Sequence, residues 1–282
     1  MIVDIHTHIF PDKIAAAAIS KLSAASGILP NTDGTTRGLL DSMDRAGVDL
    51  SVILPVATAK EQVDKINSSA MRLNEAYAEK GLFSFGAMHP DYGGGIRREL
   101  NRLRENGIKG IKIHPVYQST DIDDIKYLRI FDCAAELNMT VVTHAGLDIG
   151  FPDAVHCSPT QILRAMRQIG DFKFVLAHMG GWQNWEEAQE IFADTKVYID
   201  TAFSFGKFNS TPAGKDKNDK IKMLNEDALM KFVKIFGAER ILFGTDSPWA
   251  EQKEAVNFIK NSPLADADKE KILGGNAQKL LS

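Results

Sequence analysis

Eight short apolar, β-branched runs recur along the chain, at 2–6, 50–54, 83–88, 110–113, 140–143, 173–177, 196–200 and 241–245. Between them lie longer stretches with helical spacing, at 36–46, 60–80, 96–106, 125–138, 159–169, 184–192 and 221–236, and a C-terminal helical pair over 251–281. Strand and helix in strict alternation is the pattern of a parallel sheet with crossover helices. Eight repeats of the unit predict an α/β fold of the (β/α)8 TIM-barrel type. An open doubly wound sheet would carry a glycine-rich phosphate turn after its first strand. Here the first strand ends in His6-Thr7-His8 instead.

A chain of 282 residues suits one such barrel, so 1–282 is read as a single catalytic domain. No linker, repeat or low-complexity tract divides it. The most conspicuous break is 205–222, where Gly206, Asn209, Pro212 and Gly214 interrupt regular structure among alternating lysines and aspartates. It follows the seventh strand and is predicted to be a mobile insertion over the barrel mouth.

A net charge of -4 carries no basic excess, which argues against nucleic acid and anionic membranes as partners and leaves a small-molecule substrate. Only Cys133 and Cys157 are present, too few for a disulfide framework or a thiolate zinc site. With no signal peptide or long apolar stretch at the N-terminus, a cytoplasmic location is expected.

Residues at the C-terminal ends of barrel strands converge on one mouth. His6 and His8, two apart, can share the inner face of the first strand. His144 ends the fifth strand, His178 the sixth and Asp246 the eighth. A single histidine at a strand end is commonly a hydrogen-bonded anchor; five such residues at four strand ends point to a metal centre. Nitrogen and carboxylate donors without thiolate suit Zn2+, with Mn2+, Fe2+ or Co2+ able to use the same set. An ion with one open position lowers the pKa of its water towards ~7, which supplies hydroxide at neutral pH.

The segments Asp4-Ile5-His6-Thr7-His8, Gly110-Ile111-Lys112-Ile113-His114-Pro115, Thr143-His144-Ala145-Gly146, Ala177-His178-Met179-Gly180-Gly181 and Phe243-Gly244-Thr245-Asp246-Ser247-Pro248 resemble the amidohydrolase superfamily. More narrowly they resemble its amidohydrolase-related branch of metal-dependent hydrolases and aminocarboxymuconate-semialdehyde and resorcylate decarboxylases. The resemblance implies that His6, His8, His144 and Asp246 hold the metal and that Asp246 also carries a proton. It implies that His178 orients or activates water, or binds a second ion, and that the protein is a homodimer. Two-metal members bridge their ions from the fourth strand. Lys112 is read here as an inward lysine paired to a carboxylate, with a carbamate bridge as the alternative, and one ion is favoured over two. His114 is read as a residue of the substrate pocket.

Loops after the strands set specificity in a barrel. They offer Trp182, Phe203 and Trp249 as pocket walls, with Phe10, Tyr117, Phe151, Trp185, Phe205 and Phe208 nearby. Arg37 and Lys207 are the candidates to meet a substrate carboxylate. Aligned on Met43-Asp44, Arg37 falls two residues ahead of the arginine of the decarboxylase members. Hydrolysis of an amide, lactone or ester by metal-bound hydroxide is therefore the preferred expectation. Non-oxidative decarboxylation of an aromatic or unsaturated acid is the alternative, and a non-catalytic metal-binding barrel the third reading.

Overall fold

The computed structural model describes residues 1–282; Lys217, one of the lysines of the 205–222 insertion, has its side chain outside the described residues. The strands are β1 (Val3–Thr7), β2 (Leu50–Ile53), β3 in two pieces (Leu82–Ser84 and Gly86–Ala87), β4 (Gly110–Ile113), β5 (Thr140–Thr143), β6 (Phe174–Leu176), β7 (Tyr198–Asp200) and β8 (Ile241–Leu242). All pair in parallel with their sequence neighbours. The ring closes where Ile5 N–H donates to Phe243 O at 2.9 Å and Asp246 N–H to His6 O at 2.8 Å. It is the predicted TIM barrel.

Two departures from the even alternation read in the sequence shape the mouth. The third strand is broken at Phe85, which donates back to Ile53 O and turns its ring into the barrel interior. In β1 the register moves from Asp4 opposite Ser51 to Thr7 opposite Ile53, three residues against two. Such a bulge re-aims side chains. It lets Val3 and Ile5 join the interior cluster with Val52, Leu54, Val142, Val175 and Leu242, while His6 and His8 still line the cavity above. Ala277 and Leu280 of the C-terminal helix Asn276–Leu281 complete that cluster.

The outward residues Ile111, Ile113, Val141, Leu176, Ile199 and Ile241 form one large cluster with helix residues such as Ile130, Phe131, Phe192 and Phe232. Full burial of each side chain contributes about 1.5–3 kcal/mol, so the scaffold beneath the site is rigid. No helix is long and apolar enough to cross a membrane among the described residues.

One helix was not expected. Asp12–Ser26 follows β1, entered through Pro11 and ended by Gly27 at φ 75°. Pro before the first turn and Gly after the last are ordinary boundary signals. Ala18, Lys21, Leu22 and Ala25 of this helix line the cavity, so it roofs the barrel mouth. The 205–222 segment meets its end: Leu29 N–H donates to Asn209 O and Thr211 N–H to Gly27 O, both at 2.7 Å. Gly27 and Gly214 lie so close that a Cβ on Gly27 would come within 2.7 Å of Gly214 Cα.

Candidate metal centre

The cavity at the C-terminal ends of the strands has a volume of about 440 Å3. His6, His8, Lys112, His114, His144, His178 and Asp246 form its floor; Trp182, Phe203 and Trp249 stand in its walls. Backbone geometry at the floor is unusual. His178, Phe203 and Asp246 are non-glycine residues at φ 59°, 45° and 67°. Left-handed backbone costs such residues free energy and persists only where surrounding bonds impose it. Here His178 N–H is held by Asp200 Oδ1 at 2.9 Å and Asp246 N–H by His6 O at 2.8 Å. Gly244 is needed beside them, because a Cβ there would lie 2.9 Å from His6 Cβ.

Hydrogen bonds at the outer edge of each ring fix which nitrogen faces inward. His8 Nδ1 lies 2.8 Å from Leu54 O, His178 Nδ1 2.9 Å from Ala202 O and His144 Nε2 3.0 Å from Leu147 O. Carbonyl oxygens only accept, so each of these nitrogens carries the proton. His6 Nδ1 is placed likewise, 2.8 Å from Asp200 Oδ2. The opposite nitrogens therefore present lone pairs. His6 Nε2 and His8 Nε2 stand 3.2 Å apart, with Asp246 Oδ1 at 3.4 and 3.0 Å. His144 Nδ1 and His178 Nε2 stand 3.1 Å apart.

Acceptors facing acceptors at these separations repel unless positive charge lies among them, and the one side-chain cation at hand, Lys112, reaches only His6 Nε2, at 3.3 Å. Added protons are disfavoured, because burial first of all holds His6 and His144 well below the ordinary histidine range. A divalent cation fits the donor set: imidazole nitrogens and a carboxylate, each ring oriented by an outer hydrogen bond. Burial alone would raise Asp246, and positive charge on its His6, His8 and His178 side brings it down; with those rings neutral, a bound cation would supply that charge.

Lys112 departs from its expected pairing. Its Nζ lies 3.3 Å from His6 Nε2, and among the described residues it forms no ion pair with a carboxylate within 4.0 Å. Asp200, the nearest inward carboxylate on β7, is already committed to His6, His178 N–H and Ala202 N–H. Burial lowers Lys112 to about 8, against the pull of Asp200 and Asp246.

Arg37 is not at the cavity. It is 84 % exposed on the helix Thr36–Ala46, with Nε 2.8 Å from Asp41 Oδ1 one turn on. The helical i,i+4 spacing turns the guanidinium along the outer surface rather than over the mouth. Lys207 lies in a separate, smaller cleft with Glu251 and Glu254. His89 caps the turn after β3 through Nδ1, which accepts from Asp91 N–H.

His114 was expected at the substrate pocket, and its ring lines the cavity. His114, His144 and Asp148 have ligand atoms within 4.8 Å of one another, a second group of metal-ligand type. The two rings are stacked, with centroids 4.3 Å apart and planes inclined by 13°. In-plane lone pairs of parallel rings do not converge on one ion, so this end of the cavity is not a second metal site of ordinary geometry.

Asp200 is the functional residue that sequence reasoning passed over, read there only as the end of the seventh strand. In Asp200→Asn the amide oxygen can stay with the His178 and Ala202 N–H groups, which puts NH2 against His6 Nδ1. That reverses the tautomer and places a proton on His6 Nε2. The expected result is Zn2+ affinity weaker by about 10–100-fold, measured by chelator competition, with far-ultraviolet circular dichroism unchanged. An unaltered affinity would remove Asp200 from this role.

The amidohydrolase family model matches residues 3–282. A gamma-resorcylate decarboxylase of Polaromonas sp. JS666 is 46 % identical over 44 residues, 16 % of this chain and 14 % of that protein's length. Two solved structures share the fold at low identity. A dihydroxybenzoic acid decarboxylase of Polaromonas sp. JS666 with bound manganese and the inhibitor 2-nitroresorcinol has a TM-score of 0.68 and 19 % identity, covering 99 % of this chain and 96 % of that one. A protein named as a candidate 2-pyrone-4,6-dicarboxylic acid hydrolase of Pseudomonas putida has a TM-score of 0.66 and 16 % identity, covering 99 % and 97 %.

Proposed function

Because the chain belongs to the amidohydrolase family, an enzyme family, we propose that it is a metal-dependent hydrolase of an amide, lactone or ester in a small, largely apolar substrate. The observation that carries this reading is the cluster of His6, His8 and Asp246, whose ligand atoms lie within 4.8 Å of one another, with the facing lone pairs of His144 and His178 as a separate pair on the same cavity floor. His6, His8 and Asp246 would hold one ion, with Zn2+ preferred, and His144, which lies outside their group, would have to turn towards it to complete the expected set. When bound, the ion supplies Lewis acidity towards a carbonyl and lowers the pKa of water towards ~7.

The chain's own residues do the rest. Asp246 Oδ1 faces His6 and His8, while Oδ2 accepts no hydrogen bond among the described residues and is free to take a proton from water and pass it to the leaving group. His178 was expected to orient or activate water, or to bind a second ion. With Nδ1–H committed to Ala202 O, its free Nε2 accepts rather than donates, which suits it to orient water. The helix Asp12–Ser26 above, with Trp182, Phe203 and Trp249 around, limits solvent in the cavity.

Hydrolysis is favoured over decarboxylation because no arginine lines the cavity among the described residues to hold a substrate carboxylate. The short match to a decarboxylase supports the second reading. Zn2+-loaded protein should hydrolyse dihydrocoumarin or 4-nitroacetanilide above the uncatalysed rate, with no carbon dioxide from dihydroxybenzoates. The reverse pattern would assign decarboxylation.

A further inference from the structure

Beside the metal centre the cavity ends in a wall that the proposed chemistry does not use. His114, Tyr117 and Phe151 form it, with Tyr117 stacked on His114 at 3.9 Å and Phe151 edge-on to Tyr117 at 5.5 Å. Within it sits Asp148, only 6 % exposed and lining the cavity. Its Oδ1 accepts from Gly150 N–H at 2.8 Å. Its Oδ2 faces His114 Nε2 at 3.6 Å, beyond hydrogen-bond reach, and accepts no hydrogen bond among the described residues. The Tyr117 hydroxyl also has no protein partner among the described residues, although the ring is largely buried.

A carboxylate oxygen that faces the cavity has lone pairs to offer a bound molecule. Burial pushes Asp148 above the usual carboxylate range. An acceptor held open in a cavity wall is a recognition element for a group that donates. Asp148 and His144 ligand atoms lie within 4.8 Å of one another, so a donor close to the reacting carbonyl comes within reach of the carboxylate.

Resting on the hydrolase reading, we infer that Asp148 selects substrates carrying a hydroxyl or amine N–H close to the reacting carbonyl, on a planar ring set against the aromatic wall. This sets the substrate class apart from the free carboxylic acids for which the cavity offers no arginine.

The probes are benzohydroxamates, whose hydroxamate chelates zinc while the ring carries the variable group. Salicylhydroxamate offers a hydroxyl donor beside the carbonyl-bearing carbon; 2-methoxybenzohydroxamate offers an acceptor in its place. Zn2+-loaded wild-type protein is expected to prefer the hydroxyl compound by about tenfold or more, the value of one hydrogen bond to a charged group. In Asp148→Ala the preference should fall to about one. In Asp148→Asn the amide oxygen keeps the Gly150 N–H, so NH2 replaces Oδ2 and the preference should invert towards the methoxy compound. Zinc content of each variant serves as the folding control. Equal wild-type affinities, or a preference that survives both substitutions, would overturn the inference while leaving the hydrolase reading intact. Failure of every hydroxamate to bind the zinc-loaded protein would overturn both.

Discussion

Asp246→Asn should reduce kcat by about 1000-fold or more, with a smaller effect on KM, when each Zn2+-loaded protein is assayed on the same lactone or anilide. General acid-base catalysis alone contributes about 10^2–10^4-fold, and Asp246 is also a donor of the metal centre, so both losses fall on one substitution. The amide keeps the volume of the side chain and an oxygen on the His6 and His8 side. It cannot take a proton on the atom that replaces Oδ2. Retention of more than a tenth of the wild-type kcat with full zinc occupancy would move proton transfer to another group, for which His178 is the nearest alternative.

Removal of the ion should have an effect of similar size on activity and a second effect on stability. Dialysis against a chelator is expected to abolish hydrolysis, and stoichiometric Zn2+ to restore it. In the metal-free protein the facing nitrogens of His144 and His178 sit at 3.1 Å, and those of His6 and His8 at 3.2 Å with only the Lys112 ammonium beside His6. A ligand that binds only the folded state adds about 4 kcal/mol at a thousand times its Kd. For a domain of this size that corresponds to a rise in Tm on the order of 8 °C, readable by scanning calorimetry. Activity that persists after complete metal removal would refute the proposed chemistry.

The barrel was legible because its cause is local and repeated. Each β-branched run is short, each is followed by helical spacing, and the rule that such units pair in parallel does not depend on detail. Features created by contacts distant in sequence were not legible. The break at Phe85 arises from the ring entering the interior beside Val52 and Val142, and the bulge in β1 from its register on β2. The roof helix carried its own signals in Pro11, the run Ala15-Ala16-Ala17-Ala18 and Gly27, yet it lay where a loop was expected after the first strand.

The site shows the same division. His6, His8, His144, His178 and Asp246 could be named because each stands at the end of a recognisable strand. Asp200 stands at one too, but an aspartate closing a strand is an ordinary anchor until its oxygens are seen on His6 and on the His178 N–H. Arg37 was assigned by its charge and its distance from Met43-Asp44, and helix phase decides against it. Asp148 had no sequence signal at all. Its significance lies in an oxygen that faces the cavity beside His114, which only the assembled structure shows.

The cation among the inward lone pairs is most directly tested by zinc-edge X-ray absorption on protein reconstituted with Zn2+ and freed of excess metal by gel filtration. The expected result is one Zn2+ per chain with nitrogen and oxygen scatterers at about 2.0–2.2 Å and imidazole outer-shell features, lost in the His6→Ala, His8→Ala double variant. Zinc absent after gel filtration, or a sulfur shell at about 2.3 Å that survives the double substitution, would contradict it.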